Sequence, residues 1–407
     1  MAEPTVLISG AGIAGPTLAL WLHRNGYRVI VVELAPGIRP GGQTVDLRGV
    51  GRDVVERMGL LDQMTALALD QAGAAWVRSD GGRRAEMPVT AFDGNGLVST
   101  VEILRGDIAE VLYTATAEHT EYRFDARIDE LTQDDDGVHA TLSDGSTITA
   151  DLVVGADGAH SAVRKLVWGP EEKFVKPLGG YHAWFTAQDT VGLDGWFLIY
   201  QEPGLVTSMR PDHDLRLSKA GLAFRSEPIV YDRKDVVAQR QLIEDKFANA
   251  GWESAALLAA ARTADDFYFD AFVQVQMDSW SSGRATLVGD AGYCASPLSG
   301  MGTALALVGA YVLAGELGPA GDGLSPQRLA EAFARYEARM RPFVANAQKL
   351  PAGIDGFAPK SKTDIAINGL VMKWMQRWPF RPIANRLWMS KANSIALPDY
   401  QSGGAGA

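Results

Sequence analysis

Residues 5–33 read TVLISGAGIAGPTLALWLHRNGYRVIVVE, and this stretch decides the fold. Thr5 to Ser9 is too short for a helix and apolar enough for a buried parallel strand. The turn Gly10-x-Gly12-x-x-Gly15 follows, with Pro16 suited to the first turn of a helix. Residues 17–24 read as helix, and Asn25-Gly26 stops them. Tyr27 to Val32 is a second strand, and Glu33 lies at its end. The unit is βαβ. Gly10 allows a tight turn, Gly12 lets backbone approach a pyrophosphate, and Gly15 lets helix and strand pack closely. The helix N-terminus offers free N–H groups and a positive dipole end to phosphates. Glu33 stands where a carboxylate accepts hydrogen bonds from ribose hydroxyls. Gly10, Gly12, Ala14, Gly15 and Glu33 are therefore candidate dinucleotide-binding residues.

The rest of the chain is compatible with such a unit. A length of 407 residues predicts two or three domains and ample core. Hydrophobic residues make up 47% and charged residues 21%, a globular composition rather than a disordered one. The net charge of −11 argues against nucleic acid or an anionic membrane surface as the main partner. The single cysteine, Cys294, excludes an internal disulfide and a cysteine-rich metal site, and the six histidines show no ligand spacing. No metal is expected. The N-terminus lacks a basic region followed by an apolar one, and no run of about 20 apolar residues exists, so a cytoplasmic location is expected.

Further along, residues 36–51 read as a Gly/Pro/Arg-rich loop, and Ser79-Asp-Gly-Gly82 signals a hairpin. Arg105 to Ala117 reads as helix, and Leu152 to Gly155 and Ala285 to Val288 as buried strands. From about 174 to 277 aromatics alternate with small or polar residues, which predicts a mostly antiparallel sheet with one helix near 235–249. Helices are expected at about 301–317 and 325–349, and from about 363 to 390 with a break near Pro379 and Pro382. The dinucleotide domain is thus discontinuous, over 1–72, 102–173 and 278–350. A sheet domain is expected over 73–101 and 174–277, a C-terminal bridging helix over 351–398, and a flexible tail over 399–407.

Two later motifs say which dinucleotide. One is Val154-Gly-Ala-Asp157-Gly158-Ala-His-Ser161-Ala-Val-Arg164; the other is Gly289-Asp290-Ala-Gly-Tyr-Cys-Ala-Ser-Pro297-Leu-Ser-Gly300-Met-Gly302. Asp290 ends a strand at the carboxyl edge of a sheet, where open α/β folds bind ligands, and Pro297 to Gly302 open a helix. N–H groups there favour a ligand edge on which negative charge collects. The competing reading makes Asp290 a helix cap. With these three motifs in order, the chain resembles the flavin-dependent aromatic hydroxylases of the para-hydroxybenzoate hydroxylase type. Gly41-Gly42-Gln-Thr-Val-Asp46-Leu-Arg48 and Leu104-Arg105-Gly-Asp-Ile are most similar to the tetracycline-inactivating branch.

The resemblance implies an α/β fold with a discontinuous Rossmann-like FAD-binding domain, an inserted antiparallel-sheet substrate domain and a C-terminal helix. It implies a monooxygenase in which NAD(P)H reduces FAD and O2 forms a flavin C4a-hydroperoxide that oxygenates a small organic, aromatic or polycyclic substrate. The cofactor carries the chemistry, so no side chain is expected to be a nucleophile, and the residue that deprotonates the substrate is not legible. Cofactor contacts carried over are Arg39, Asp46, Arg48, Arg105, Asp157, Gly158, Gly289, Asp290, Pro297, Gly300 and Gly302. Arg is suited to bidentate phosphate contact. A monomer or homodimer is expected. The pattern departs at Tyr293, where the family often has His, and at Ala304, where it often has Asn. A flavin-dependent dehydrogenase or reductase, or a non-catalytic flavin-binding protein, are the alternatives; oxygen incorporation and NAD(P)H turnover separate them.

Overall fold

The computed structural model describes residues 3–94, 96–350, 352–375 and 393–400. The strand Thr5–Ser9 lies inside a six-stranded sheet, paired in parallel with Arg28–Val32 on one side and Leu152–Gly155 on the other. Ala285–Leu287 continues the sheet in parallel beyond 152–155, and Thr120–Arg123 does so beyond 28–32. Only the short edge strand Ser281–Ser282 is antiparallel. The inner strands 5–9, 28–32 and 152–155 are rich in Val, Ile and Leu because both of their faces are covered. Their carboxyl ends bring residues 10, 33, 156 and 288 to one edge.

The helix Gly302–Leu317 is apolar all round and buried for most of its length. It packs against the helices Ala14–Arg24, Gly49–Met58 and Pro326–Ala347. Burial of Leu305, Leu307, Val308 and Leu313 stabilises by about 1.5–3 kcal/mol each. Gly309 has no room for a methyl group: an added Cβ would lie 1.9 Å from the Tyr293 hydroxyl. That hydroxyl meets the Tyr336 hydroxyl at 2.9 Å, and Tyr336 also donates to the Leu287 carbonyl. Tyr293 is thus a core residue. Ala304 serves a close helix approach, since a Cβ on Gly51 would sit 3.2 Å from its Cα.

The second large sheet has seven strands in the order Tyr268–Val275, Val175–Gln188, Leu217–Arg225, Leu205–Pro211, Trp196–Glu202, Gly73–Val77, Arg83–Pro88. It is mostly antiparallel, as expected, with one parallel pairing, 73–77 with 196–202. It differs from the expectation in its helices. Two helices cover the sheet, Val236–Phe247 and Ser254–Ala261; the second is a run of Ala and Leu without an N-cap side chain, so its start carries no sequence signal. Side chains alternate along each strand. Tyr181, Ala183, Phe185, Leu222, Phe224 and Phe269 face these helices, whereas Phe197, Ile199, Val206, Ala223 and Phe272 form a second apolar layer with Leu298 and Phe357. A three-stranded sheet (Ile128–Gln133, Val138–Leu142, Thr147–Ala150) and a ribbon of Thr44–Asp46 with Glu102–Leu104 complete the strands.

After the long helix the chain turns through Gly353–Phe357 and Lys362–Met375. The first touches the 3-10 turn Pro297–Ser299 and strand Val175–Gln188, and the second touches strands Arg83–Pro88 and Trp196–Glu202. Arg225 pairs with Asp355 at 2.6 Å, and Gln201 Nε2 donates to the Phe357 carbonyl at 2.8 Å. The expected helix beyond Met375, with Trp378, Pro379 and Pro382, and the expected tail from Gln401 lie outside the described residues, apart from 393–400. The tail expectation needs correcting at its start: Tyr400 is docked, its ring 5.3 Å from that of Tyr311 and its hydroxyl donating to Glu316 at 2.6 Å. Its ring contact and its bond to the buried Glu316 carboxylate hold Tyr400 in place.

Candidate cofactor site

At the carboxyl edge of the parallel sheet the glycines divide their work. Gly10 has φ +106°, and an added Cβ would lie 2.6 Å from the Ala156 carbonyl oxygen, so the loop is pressed against the turn that carries Asp157. At Gly15 a Cβ would meet the Gly10 carbonyl oxygen at 1.9 Å. Gly12 is different: its Cβ would meet only the tip of the Arg105 guanidinium, Nη2 at 3.1 Å. Two helix N-termini open here, those of Ala14–Arg24 and Gly302–Leu317, and neither has a capping side chain. Their first amides are therefore available to a ligand.

The polar side chains converge on the same edge. Glu33 accepts from the Ala11 amide at 2.8 Å and from the Ala35 amide at 2.9 Å, so it fixes the glycine loop and keeps one lone pair on each oxygen. Arg39 approaches it at 3.6 Å from the surface. Arg105 opens the helix Arg105–Thr114, and its amide donates to the Gln43 carbonyl at 3.1 Å. Among the described residues its guanidinium has no carboxylate within salt-bridge distance. Burial and the neighbouring Arg39 lower its pKa, against the pull of Tyr268, Asp290 and Glu33. Asp290, at the start of the turn Asp290–Tyr293, is pushed up by burial and pulled down by Arg105. It is the first residue of that turn, and Gly289 holds the cap position. Gly289, Gly300 and Gly158 all have positive φ, and a Cβ on Gly300 or Gly158 would meet nothing within 4 Å. A Cβ on Gly302 would lie 3.9 Å from Asp290 Oδ1. Pro297 starts a 3-10 turn capped by Ser296. An open glycine cradle, an arginine without a carboxylate partner and two uncapped helix starts fit an anionic dinucleotide such as FAD.

Other predicted residues sit elsewhere. The Asp157 carboxylate turns inward to accept from the amides of Ala162 and Val163 and from Ser9 Oγ, holding the next helix to the first strand. Ser161 caps that helix through the Arg164 amide at 3.0 Å. Arg164 is fully buried and donates to the carbonyls of Ala159 and Ala291, which rivets the second motif to the third. Asp46 and Arg48 pair with each other in the 44–46/102–104 ribbon. There they adjoin Glu102, 1% exposed, which burial and the Asp46 charge push up to about 7 against the pull of Arg210. Arg210 reaches Glu102 at 3.2 Å from the sheet domain. Glu102 and Arg210 were not expected from sequence, since only the fold brings them together. Cys294 is buried, and burial holds its thiol well above the usual value. His182 is buried 4.6 Å from Phe272 and pushed down to about 4 by desolvation. Among the described residues no group of His, Cys, Asp and Glu could hold a metal, and no helix is long and apolar enough to cross a membrane. A surface groove of about 770 Å³ beside Phe333 and Arg341 shares no residue with the constellation above.

Fold and site together define a flavoprotein of the dinucleotide-binding α/β class. Residues 3–349 match the family described as FAD binding domain. A flavin-dependent monooxygenase of Legionella longbeachae is 36% identical over 98% of this chain and 98% of that one. Among solved structures, the tetracycline destructase Tet(51) superposes with a TM-score of 0.80 at 31% identity, covering 98% of this chain and 100% of that one. Tet(55) does so at 0.79 and 33%, covering 98% and 99%. The chain belongs to the FAD-binding-domain family of flavin-dependent monooxygenases, and is accordingly an oxidoreductase.

Proposed function

We propose that this protein uses NAD(P)H and O2 to hydroxylate a small organic substrate, aromatic or polycyclic, between its two large sheets. The convergence of Gly12, Glu33, Arg105, Asp290 and the start of helix Gly302–Leu317 carries the reading. Bound FAD would supply electron transfer from the nicotinamide and activation of oxygen. Arg105 and the amides at residues 12–15 would hold the pyrophosphate, Glu33 with Arg39 the adenosine ribose, and Asp290 a hydroxyl further along the chain. Gly300 and Gly302 would let backbone approach the ring system. Asp157, Gly158 and Gly289 shape the turns around it, while Asp46 and Arg48 brace the ribbon on the substrate side. The sheet face opposite offers Phe197, Phe272, Trp184 and His182, with Leu298 and Phe357 closing the layer. Such a surface orients a flat, weakly charged ring and excludes water from it. The structural relation to tetracycline destructases at 31–33% identity supports a polycyclic substrate class.

The purified protein should be yellow and release FAD on denaturation. A screen of phenols and fused-ring enols should yield compounds that accelerate NAD(P)H oxidation and acquire one atom from ¹⁸O2. Acceleration without isotope incorporation would establish a dehydrogenase or reductase instead; absence of flavin after reconstitution would remove the reading altogether.

A further inference from the structure

The two faces of the seven-stranded sheet treat their polar side chains differently. On the face covered by the helices Val236–Phe247 and Ser254–Ala261 they are paired: Tyr181 Oη accepts from the Ile229 amide at 2.6 Å, Tyr200 donates to Glu202 at 2.9 Å, and Thr207 meets Ser254 at 2.8 Å. The other face lies on the side of the cofactor edge. Leu298, from the turn Pro297–Ser299, packs into its apolar layer, and a Cβ on Gly41 would sit 3.3 Å from Lys219 Nζ. Register sets His182 opposite Ala223 and Asp270, and Trp184 opposite Gly221 and Tyr268. Alternation with Tyr181, Ala183 and Phe185 puts both residues on this second face. His182 is 2% exposed and its Nδ1 has no hydrogen-bond partner. The Nε1–H of Trp184, whose ring centre is 6.1 Å away, has none either.

The carboxylate next to His182 is already taken. Asp270 accepts from the Tyr268 hydroxyl at 2.8 Å, the Tyr231 hydroxyl at 3.1 Å and the Ala271 amide at 2.8 Å, and His160 Nε2 meets its two oxygens at 3.0 and 3.1 Å. His182 keeps ring contacts, with Phe272 at 4.6 Å and Tyr268 at 6.0 Å between centres. A phenyl ring would make those contacts without burying an unpaired nitrogen, which costs more than a made hydrogen bond gains. Packing therefore does not account for a histidine at this position. Burial pushes its pKa down to about 4, so at neutral pH the ring is uncharged, with one N–H donor and one acceptor nitrogen. Two cations of the same face are engaged: Lys219 pairs with Asp212 at 2.9 Å and Arg210 with Glu102 at 3.2 Å.

We propose that His182 is a specificity-determining residue that exchanges a hydrogen bond with a substrate oxygen and, with the Trp184 N–H beside it, selects an uncharged ring carrying a carbonyl next to a hydroxyl over a ring carrying a carboxylate. This deepens the monooxygenase reading and rests on it. The substrate hydroxyl donates to the acceptor nitrogen of His182, and the adjacent carbonyl accepts from Trp184 Nε1. A carboxylate in the same place would lose its water and gain no cation from Lys219 or Arg210, which already hold carboxylates. Tyr268, 45% exposed, and the half-buried Trp184 border His182, so a ring reaches Nδ1 by displacing one of them.

The test compares ortho-hydroxyacetophenone with salicylate, which has a carboxylate oxygen in place of the methyl group. Dissociation constants are read from the flavin spectrum of FAD-loaded protein at neutral pH. Wild type should bind the ketone about 10-fold more tightly than salicylate, and His182→Phe should bind the ketone about 10-fold more weakly, the scale of one hydrogen bond lost at a buried site, with salicylate unchanged. FAD-free His182→Phe should melt at or above the wild-type temperature. A variant that melts lower yet binds both compounds as the wild type does would overturn the proposal and leave a structural histidine. So would a wild type that prefers salicylate or binds neither compound. Should His182→Phe not fold, NMR of the His182 ring nitrogens in the wild type decides: the ketone should shift them and salicylate should not, and unmoved shifts would sink the assignment. Protein that binds no FAD refutes the flavin reading by itself, and the same NMR titration then decides on His182 separately.

Discussion

The cofactor edge and the His160–Asp270 cluster hold similar residues and use them in opposite ways. At the edge, Arg105 has no carboxylate within reach among the described residues, two helix starts lack side-chain caps, and Gly12, Gly300 and Gly302 leave backbone uncovered. In the cluster, Asp270 accepts from four donors and His160 has partners on both nitrogens. Unspent hydrogen-bonding capacity at the carboxyl ends of parallel strands marks a place for a ligand. Saturated capacity between segments of the two large sheets marks a place where charge is held. Arg105 and Arg164 make the contrast within one residue type: the first has no carboxylate within salt-bridge distance among the described residues, and the second donates to the Ala159 and Ala291 carbonyls.

That contrast can be broken experimentally. Arg164→Met should have the largest effect on the fold, because it strips the buried Ala291 carbonyl and the partly buried Ala159 carbonyl of their donors. A loss of about 4 kcal/mol is expected at about 1–3 kcal/mol per acceptor, read by urea unfolding of the FAD-free protein. Arg105→Ala should do the reverse. FAD affinity should fall about 100-fold, near the 1.5–3 kcal/mol of a charge-assisted contact, while the FAD-free protein unfolds as the wild type does. Equal losses of stability in the two variants would erase the distinction.

The cluster makes a pH prediction. Because the folded pKa of His160 is raised to about 9 from 6.5, its contribution is fully present below about pH 6.5 and lost as pH rises through 9. The ring is about a quarter exposed, so 2–3 kcal/mol is an upper order of magnitude. Melting temperatures from pH 6.5 to 9.5 should fall in the wild type relative to His160→Gln; parallel curves would show that the charge contributes nothing. The smallest effect is expected inside the glycine loop. Gly12→Ala meets only a movable guanidinium tip, so it should fold normally and bind FAD about 10-fold more weakly, by about 1.4 kcal/mol. Fluorescence titration with FAD would measure it, and normal affinity would mean that the ligand does not approach Gly12.

The sequence by itself determined the βαβ unit at 5–33, the discontinuous strands at 152 and 285, and the class of cofactor. These are local signals: a glycine turn that follows a short Val/Ile run is readable from residues adjacent in the chain. Tertiary structure alone decided how the motif residues divide. Asp157 belongs to the turn that anchors a helix, Arg164 to a buried rivet, and Asp46 with Arg48 to a ribbon beside Glu102 and Arg210. The second covering helix and the parallel pairing of 73–77 with 196–202 were likewise hidden. The reason is distance along the chain. His160 meets Asp270 across 110 residues and Arg210 meets Glu102 across 108, and neither pair has a spacing that periodicity can report. Such contacts exist only because the fold brings distant strands and loops together, and burial then fixes which of their charges are neutralised.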